Sequence, residues 1–247
     1  SVSKPRVRHN RHKQGLNLTL EKLSADFRKN TKDILLNVPI PISTGGANDP
    51  IRNAGKIRNQ GFEFNLGGNE SLNKDLSYGV SFLGTYNKNE VVEMGAESQV
   101  ITGGTIHGGT YTSRTLAGYP IGGFWLIPTD GYFNSTEEVQ AHQKDGVLIQ
   151  PSAEPGDIRF KDTNNDGTIN DEDRVYCGSP FPKFTYSING NITYKNVDFS
   201  IGFQGVTGNK IYNATKLELT DVTRGTNYLA STLDYWTQEK QNASSPR

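Results

Sequence analysis

Residues 162–173 place oxygen-bearing groups at the spacing of a calcium-binding loop. They read Asp-Thr-Asn-Asn-Asp-Gly-Thr-Ile-Asn-Asp-Glu-Asp, with Gly167 at the sixth position, where such loops turn sharply. Ca²⁺ is a hard cation that takes about six to eight oxygen ligands. The loop therefore predicts a calcium site built from Asp162, Asn164, Asp166, the carbonyl group of Thr168, Asn170 and Asp173.

The loop differs from an EF-hand in two respects. Its last position is Asp173, where the EF-hand has a bidentate Glu, and no amphipathic helix pattern flanks it. The ion is expected to be structural, because it would hold a long loop in shape by crosslinking carboxylates that otherwise repel one another. The alternative is a polar surface turn rich in Asn, Asp and Gly that binds no ion.

A second group of residues suited to binding lies among the glycines and prolines of residues 118–133. Aromatic rings with few polar neighbours fit sugar rings or an apolar patch of a protein partner. Their alternative role is to pack this stretch against the rest of the protein. The aromatic residues are Tyr119, Phe124, Trp125, Tyr132 and Phe133.

The sequence contains no motif that indicates catalysis. It has no Gly-x-Ser-x-Gly elbow, no His-Glu-x-x-His pair, no phosphate loop and no Cys/His cluster. The single cysteine, Cys177, excludes an internal disulfide framework. We therefore expect a protein that is not an enzyme. The 26 basic and 26 acidic residues cancel, so no nucleic-acid partner is expected either.

The sequence also predicts strands in which apolar and polar residues alternate, and these strands would position the calcium-type loop and the aromatic residues. Apolar residues occupy the even positions of Phe184–Tyr194 and the odd positions of residues 197–203. A two-residue turn at Lys195-Asn196 explains this change of phase. The predicted hairpin has Ile188 opposite Phe203, which leaves one apolar and one polar face.

Two more hairpins follow from the same pattern. One covers residues 16–27, with its turn at Glu21-Lys22, and the other joins residues 62–66 to residues 76–86. Strands of about ten residues with one apolar and one polar face predict an all-β fold, an antiparallel transmembrane β-barrel fragment. The alternative is a soluble, calcium-stabilised β-sandwich that binds carbohydrate at the cell surface.

The connections between strands are unequal in length. Turns at one end of the hairpins are short, whereas residues 36–55, 87–182 and 206–247 form long connections at the other end. This asymmetry is typical of outer-membrane barrels, whose long loops face the cell exterior. Residues 87–182 are therefore expected to form an ordered, functional extracellular loop that contains the calcium-type loop 162–173.

Several stretches, in this order, resemble the C-terminal part of SusC/RagA-type TonB-linked outer-membrane proteins. Among them are Gly-Tyr-Pro-Ile-Gly-Gly-Phe-Trp at residues 118–125 and Pro-Gly-Asp-Ile-Arg-Phe-Lys-Asp at residues 155–162. The resemblance covers nearly the whole chain beyond residue 15, and residues 1–15 match poorly. The other matching stretches are residues 31–41, 53–64, 162–173, 178–182, 203–209, 235–239 and 246–247.

This resemblance implies a barrel of about 22 strands with a plugged lumen. It implies import of glycans, and in some members peptides, across the outer membrane of Bacteroidota-like bacteria. The implied partners are a SusD-like surface lipoprotein, the cargo and outer-membrane lipid, while TonB would be contacted only through an N-terminal part that family members carry. We therefore expect residues 1–15 to be an N-terminal edge and residues 16–247 to be a partial C-terminal barrel region located in the cell outer membrane.

Overall fold

The computed structural model describes residues 6–12, 19–32, 35–37, 51–53, 55–95, 100–106, 110–222, 225 and 227–247. Strands dominate these residues, as predicted. The strands are β1 (Arg6–His12), β2 (Thr19–Thr31), β3 (Leu35–Asn37), β4 (Ile51–Asn53), β5 (Gly55–Ser71), β6 (Leu76–Met94), β7 (Val100–Thr102), β8 (Ser113–Leu116), β9 (Gly123–Leu126), β10 (Thr129–Tyr132), β11 (Gln143–Lys144), β12 (Val147–Leu148), β13 (Ile158–Phe160), β14 (Val175–Gly178), β15 (Phe184–Tyr194) and β16 (Val197–Thr207).

Helical structure is brief. The two α-helices are α1 (Thr136–Ala141) and α2 (Ala214–Thr220), and 3-10 turns cover Asp171–Asp173 and Ala230–Leu233. Ser135 begins α1 by accepting a hydrogen bond from the backbone N–H of Glu138. No helix in the described part of the chain is long and apolar enough to cross a membrane.

The chain divides into two compact units. The first comprises Ser1–Gly103, Arg114–Gly123 and Gly178–Lys210, and its main element is an antiparallel sheet in the order β1-β2-β5-β6-β15-β16. The second comprises Gly104–Ser113, Phe124–Cys177 and Ile211–Arg247. It contains both α-helices and the pairs β10-β13, β11-β12 and β9-β14.

The hairpin of β15 and β16 has the predicted register. Tyr194 pairs with Val197, and Ile188 pairs with Phe203. Lys195 adopts a φ of 52°, the left-handed conformation that a tight two-residue turn requires. The alternation of apolar residues and the turn length therefore specify the same pairing, and this prediction is confirmed.

The hairpin of β5 and β6 is also confirmed, but its strands are longer than the sequence indicated. They contain 17 and 19 residues, and β6 continues to Met94. Residues 87–94 are therefore strand, which corrects the predicted start of the long connection. The error has a physical reason: Asn87, Lys88, Asn89 and Glu90 lack apolar alternation, yet their backbones pair with residues 58–61 of β5.

The predicted turn at Glu21-Lys22 is wrong. Both residues lie inside β2, which pairs with β1 on one side and β5 on the other. A change in apolar phase can mark a turn or a strand whose apolar residues change face, and only the hydrogen-bonded partners distinguish the two. Leu16 and Leu18 of the predicted hairpin lie outside the described residues, as do residues 1–5 and 13–15 of the expected N-terminal edge.

The apolar face of the six-stranded sheet stays open to its surroundings. Val80 is 57% exposed, Phe199 58% and Phe203 60%, although each belongs to the alternating apolar set. A soluble sandwich would bury such a face against a second sheet. The exposure therefore argues against the sandwich alternative and favours a face that contacts lipid.

A glycine in β6 makes room for the aromatic rings on this face. A Cβ added at Gly84 would lie 2.4 Å from a ring carbon of Phe64 and 3.0 Å from one of Phe184. We expect Gly84→Ala to destabilise the folded protein by about 1–3 kcal/mol, because the rings must leave their stacked positions. Gly67→Ala is the matched control, since its added Cβ meets nothing closer than 3.6 Å.

Urea unfolding of both glycine variants in lipid vesicles measures this difference. Equal midpoints for Gly84→Ala and Gly67→Ala would contradict the packing described here.

Candidate metal centre

The calcium-type loop lies in the second unit, between β13 and β14. Gly167 has a φ of +92°, so the sharp turn predicted at the sixth loop position is present. Asn165 also has a positive φ, of 59°. Its carbonyl oxygen accepts a hydrogen bond from the side chain of Lys144.

Asp162 fixes the first turn of the loop. Its Oδ1 accepts a hydrogen bond from the backbone N–H of Asp166 at 3.1 Å, and its Oδ2 accepts one from Gly167 at 2.7 Å. Each carboxylate oxygen has a second lone pair that these bonds leave open. Asp162 therefore holds the turn and keeps oxygen capacity for a cation.

Asp173 is the last residue of the loop, and its side chain is fully buried. Its two carboxylate oxygens accept hydrogen bonds from the backbone N–H groups of Thr163, at 2.7 Å, and Asn170, at 2.8 Å. Asn170 caps the 3-10 turn Asp171–Asp173 in return, which completes a capping box. Asp173 therefore links the start of the loop, at Thr163, to its end, at Asn170.

Asp166 occupies the exposed side of the loop and is surrounded by donors. Its oxygens accept from the hydroxyl and backbone N–H of Thr168 and from the side-chain amides of Asn164 and Asn170. These hydrogen bonds, that of Asn164 first, lower the pKa of Asp166 from 3.8 to about 2. The carboxylate is therefore fully ionised at neutral pH.

The amide group of Asn164 stands between two acidic side chains. Its nitrogen is 2.9 Å from an oxygen of Asp166 and 3.2 Å from an oxygen of Glu172. A rotation of the amide would present its oxygen instead, and a cation could then bridge the three groups. Glu172 was not among the predicted ligands, because it stands at the eleventh loop position, which supplies no ligand in the EF-hand pattern.

The chemical types of the loop's oxygen atoms suit calcium. The loop offers carboxylate, amide, hydroxyl and carbonyl oxygens, which are the ligands of a hard cation. Within the residues that the structure describes, no three His, Cys, Asp or Glu side chains are grouped to hold a metal ion. Binding would therefore depend on Asn164, Asn170 and the Thr168 carbonyl group as well as on the carboxylates.

One of the five predicted aromatic residues is buried and four are partly exposed. Phe133 is completely buried and packs edge-on against His142 with ring centroids 5.4 Å apart, so its assignment to an exposed binding surface is wrong. Tyr119 belongs to the first unit, whereas Phe124, Trp125 and Tyr132 belong to the second, and all four are partly exposed. Phe133 directly follows β10, and a strand of four residues is too short to show apolar alternation, so the sequence could not separate the buried ring from the others.

Comparison with characterised proteins gives relatives along nearly the whole chain. TonB-dependent receptor P26 of Formosa agariphila is 30% identical over 222 residues, which are 90% of this chain and 22% of that protein. The chain is homologous to a segment of the TonB-dependent receptors. Receptor P3 of the same organism is 28% identical over 88% of the chain, and SusC of Bacteroides thetaiotaomicron is 27% identical over 75%. No family model matches the chain.

Solved structures confirm the fold class of this chain. The RagAB peptide importer in its open-open state superimposes with a TM-score of 0.66 at 16% identity, over 99% of this chain and 28% of that chain. The open six-stranded sheet is therefore a segment of an antiparallel β-barrel, as predicted. The chain spans about a fifth of the length of the curated relatives it matches. Its relatives are receptors and transporters, and the prediction that it is not an enzyme is confirmed.

Proposed function

We propose that this chain is part of an outer-membrane importer of nutrients, with glycans or peptides as cargo. The observation that carries the proposal is the exposed apolar face of the six-stranded sheet. Homology to a segment of the TonB-dependent receptors and the fold shared with a peptide importer support it. The strand faces supply the physical argument.

The apolar face has the layered composition of a membrane-spanning band. Its centre contains Val80, Ile188 and Ile201, which are 57%, 42% and 45% exposed. Tyrosines flank the centre, with Tyr86 at one end and Tyr194 at the other end of the paired strands. Tyrosine is enriched at membrane interfaces because its ring is apolar and its hydroxyl is polar. Strands of 11 residues, such as β15 and β16, are long enough to cross a bilayer when tilted.

The opposite face is suited to water. Along β15 it presents Thr185, Ser187, Asn189, Asn191 and Thr193, and its β6 partners include Ser77, Gly79, Ser81 and Thr85. The side chain of Asn189 lies 3.5 Å from the hydroxyl of Ser81. Neutral hydrogen-bonding groups of this kind line the wet interior of transmembrane barrels. We assign this face to the lumen of the importer.

The proposed partners are a SusD-like surface lipoprotein, which would cover the outer mouth, and TonB, which would act through other parts of the receptor. The RagAB importer, which shares the fold, supports import as the activity. A bacterial strain without the receptor should lose uptake of fluorescently labelled oligosaccharides or peptides, and the restored receptor should recover it. Unchanged uptake of both cargo classes in the deletion strain would overturn the proposal.

We also propose that the loop of residues 162–173 binds one structural calcium ion. Its fit is supported by the ionised Asp166, by the open lone pairs of Asp162 and by the amide of Asn164 between two carboxylates. When bound, the ion would supply positive charge that crosslinks these oxygens. The protein residues would hold the turn, which the backbone bonds to Asp162 and Asp173 already shape.

Removal of two carboxylates tests the calcium proposal. The double variant Asp162→Ala and Asp166→Ala should abolish calcium binding in isothermal titration calorimetry and should make residues 150–182 more sensitive to protease. Thr163→Ser is the control, since it changes the same loop at a position that supplies no predicted ligand and keeps the hydroxyl that lies 3.4 Å from Asp173. Equal calcium affinity in the double variant and the control would rule out this site.

A further inference from the structure

A lysine outside the calcium-type loop is hydrogen-bonded to it. Lys144 is the last residue of β11, and it pairs with Val147 across the hairpin of β11 and β12. The two residues between them, Asp145 and Gly146, have φ angles of 50° and 82°. Positive φ at both central residues is typical of a tight type I′ turn, which the pair Asp-Gly favours. This turn therefore holds the backbone of Lys144 in place.

The hairpin is also attached to α1. His142 ends this helix and donates its backbone N–H to the carbonyl group of Glu138 at 3.1 Å. The backbone N–H of Ile149, directly after β12, donates to the carbonyl group of His142 at 3.0 Å. Lys144 therefore projects from a part of the second unit that backbone hydrogen bonds fix at both ends.

The side chain of Lys144 crosses the turn of the calcium-type loop. Its ammonium group donates a hydrogen bond to the carbonyl oxygen of Asn165. Its carbon chain lies along Gly167, where an added Cβ would be 3.3 Å from Cδ and 3.4 Å from Cβ of Lys144. Lys144 thus contacts both residues of the loop that have a positive φ.

Asp162 holds the same turn from the opposite side. The carbonyl group of Asn165 and the N–H of Asp166 belong to one peptide unit, and in a trans peptide these two groups point in opposite directions. Asp162 accepts the N–H at 3.1 Å, while Lys144 donates to the carbonyl group. A rotation of this peptide unit would therefore break two hydrogen bonds and turn a carbonyl oxygen toward the carboxylate of Asp162.

The loop contains no cationic side chain that could replace this donor. Residues 162–173 include five acidic residues and no Lys or Arg. Without an ion, neighbouring carboxylates repel one another and oppose a closed loop. A donor supplied from β11 therefore stabilises the turn where the loop itself has none to offer.

We propose that Lys144 is a positioning residue of the proposed calcium site, and that it keeps the peptide unit between Asn165 and Asp166 in its ion-binding orientation before the ion arrives. The inference rests on the calcium site proposed above. Once bound, the ion would draw the oxygens of Asp162 and Asp166 together, so the turn would no longer depend on the lysine.

Hydrogen exchange in the intact receptor in detergent tests the proposal. Lys144→Met keeps a carbon chain along Gly167 but removes the ammonium donor. In EDTA, the amides of Asp166 and Gly167 should exchange about tenfold faster in this variant, as the loss of a hydrogen bond from a charged group predicts. Saturating calcium should return both amides to the wild-type rate. A lysine that only stabilises the surrounding fold would leave exchange fast in calcium as well.

Two controls accompany the variant. Lys161→Met removes another lysine next to the loop, one whose ammonium group lies 3.5 Å from a carboxylate oxygen of Asp130, and it should exchange as the wild type does. The amide of His142, bonded within α1, is the internal reference and should keep its exchange rate in both variants.

Four results would overturn the role of Lys144. They are wild-type exchange of Lys144→Met in EDTA, equal acceleration in Lys161→Met, acceleration that extends to His142, and acceleration that persists in saturating calcium. Calorimetry of the wild type with calcium separates this role from the metal site. Absence of calcium binding defeats the site and with it this inference, whereas calcium binding together with any of the four results defeats the role of Lys144 alone.

Discussion

Replacement of Ile201 by Arg should strongly destabilise the folded receptor and lower its folded fraction in the membrane. Ile201 lies in β16 opposite Gly190, at the middle of the paired strands β15 and β16, and is 45% exposed on the apolar face. An arginine on the lipid-facing side of a barrel costs about 2–4 kcal/mol at the bilayer midplane, because its charge enters hydrocarbon. That is a large fraction of the stability of a typical domain.

The adjacent residue provides the control. Ser200 lies one position earlier on the polar face, opposite Asn191, so Ser200→Arg should cost about 0.5 kcal/mol or less. The folded fraction of each receptor variant can be read from the heat-dependent migration of the barrel in gels. Similar losses for Ile201→Arg and Ser200→Arg would show that the two faces do not differ in environment.

Replacement of Asp173 by Ala should unfold the calcium-type loop even without calcium. Asp173 is fully buried and accepts two backbone hydrogen bonds, from Thr163 and Asn170. The variant removes the charged acceptor of two part-buried backbone hydrogen bonds, each worth about 1.5–3 kcal/mol. We expect faster hydrogen exchange at both amides and new protease cleavage within residues 150–182 in the presence of excess EDTA.

Two further variants define the cause of that effect. Glu172→Ala removes the neighbouring exposed carboxylate and should change exchange little. Asp173→Asn keeps the shape of the side chain but replaces one acceptor with a donor, so it should resemble Asp173→Ala. Normal exchange in Asp173→Asn would mean that the carboxylate does not close the loop as described.

The hairpins could be predicted where two independent signals coincided. For β15 and β16, the apolar alternation and the two-residue turn at Lys195-Asn196 specified one register, and the structure has it. At Glu21-Lys22 only the change of phase was present, and the strand in fact continues. Residues 87–90, at the polar end of β6, do not alternate between apolar and polar side chains, so the sequence did not indicate a strand there. Strand pairing needs only backbone hydrogen bonds where no apolar face has to be matched.

The sequence predicted where the calcium-type loop lies, but it did not predict the role of each residue in the loop. Spacing located the loop, and the sharp turn at Gly167 followed from it. Sequence cannot distinguish a carboxylate that faces a cation from one that accepts backbone N–H groups, so the buried position of Asp173 was not foreseen. The ion pairs of Arg159 with Asp130 and Glu138 could not be predicted from the sequence either, since they join β10, α1 and β13 only after folding.

The central claim is that the apolar face of the sheet contacts lipid while the polar face lines a wet lumen. Single cysteines at positions 198–203 of β16, introduced after Cys177→Ser, can carry a small fluorophore in the intact receptor in vesicles of brominated lipid. Quenching should be strong at positions 199, 201 and 203 and weak at positions 198, 200 and 202. Uniform quenching, or strong quenching at the even positions, would contradict the account.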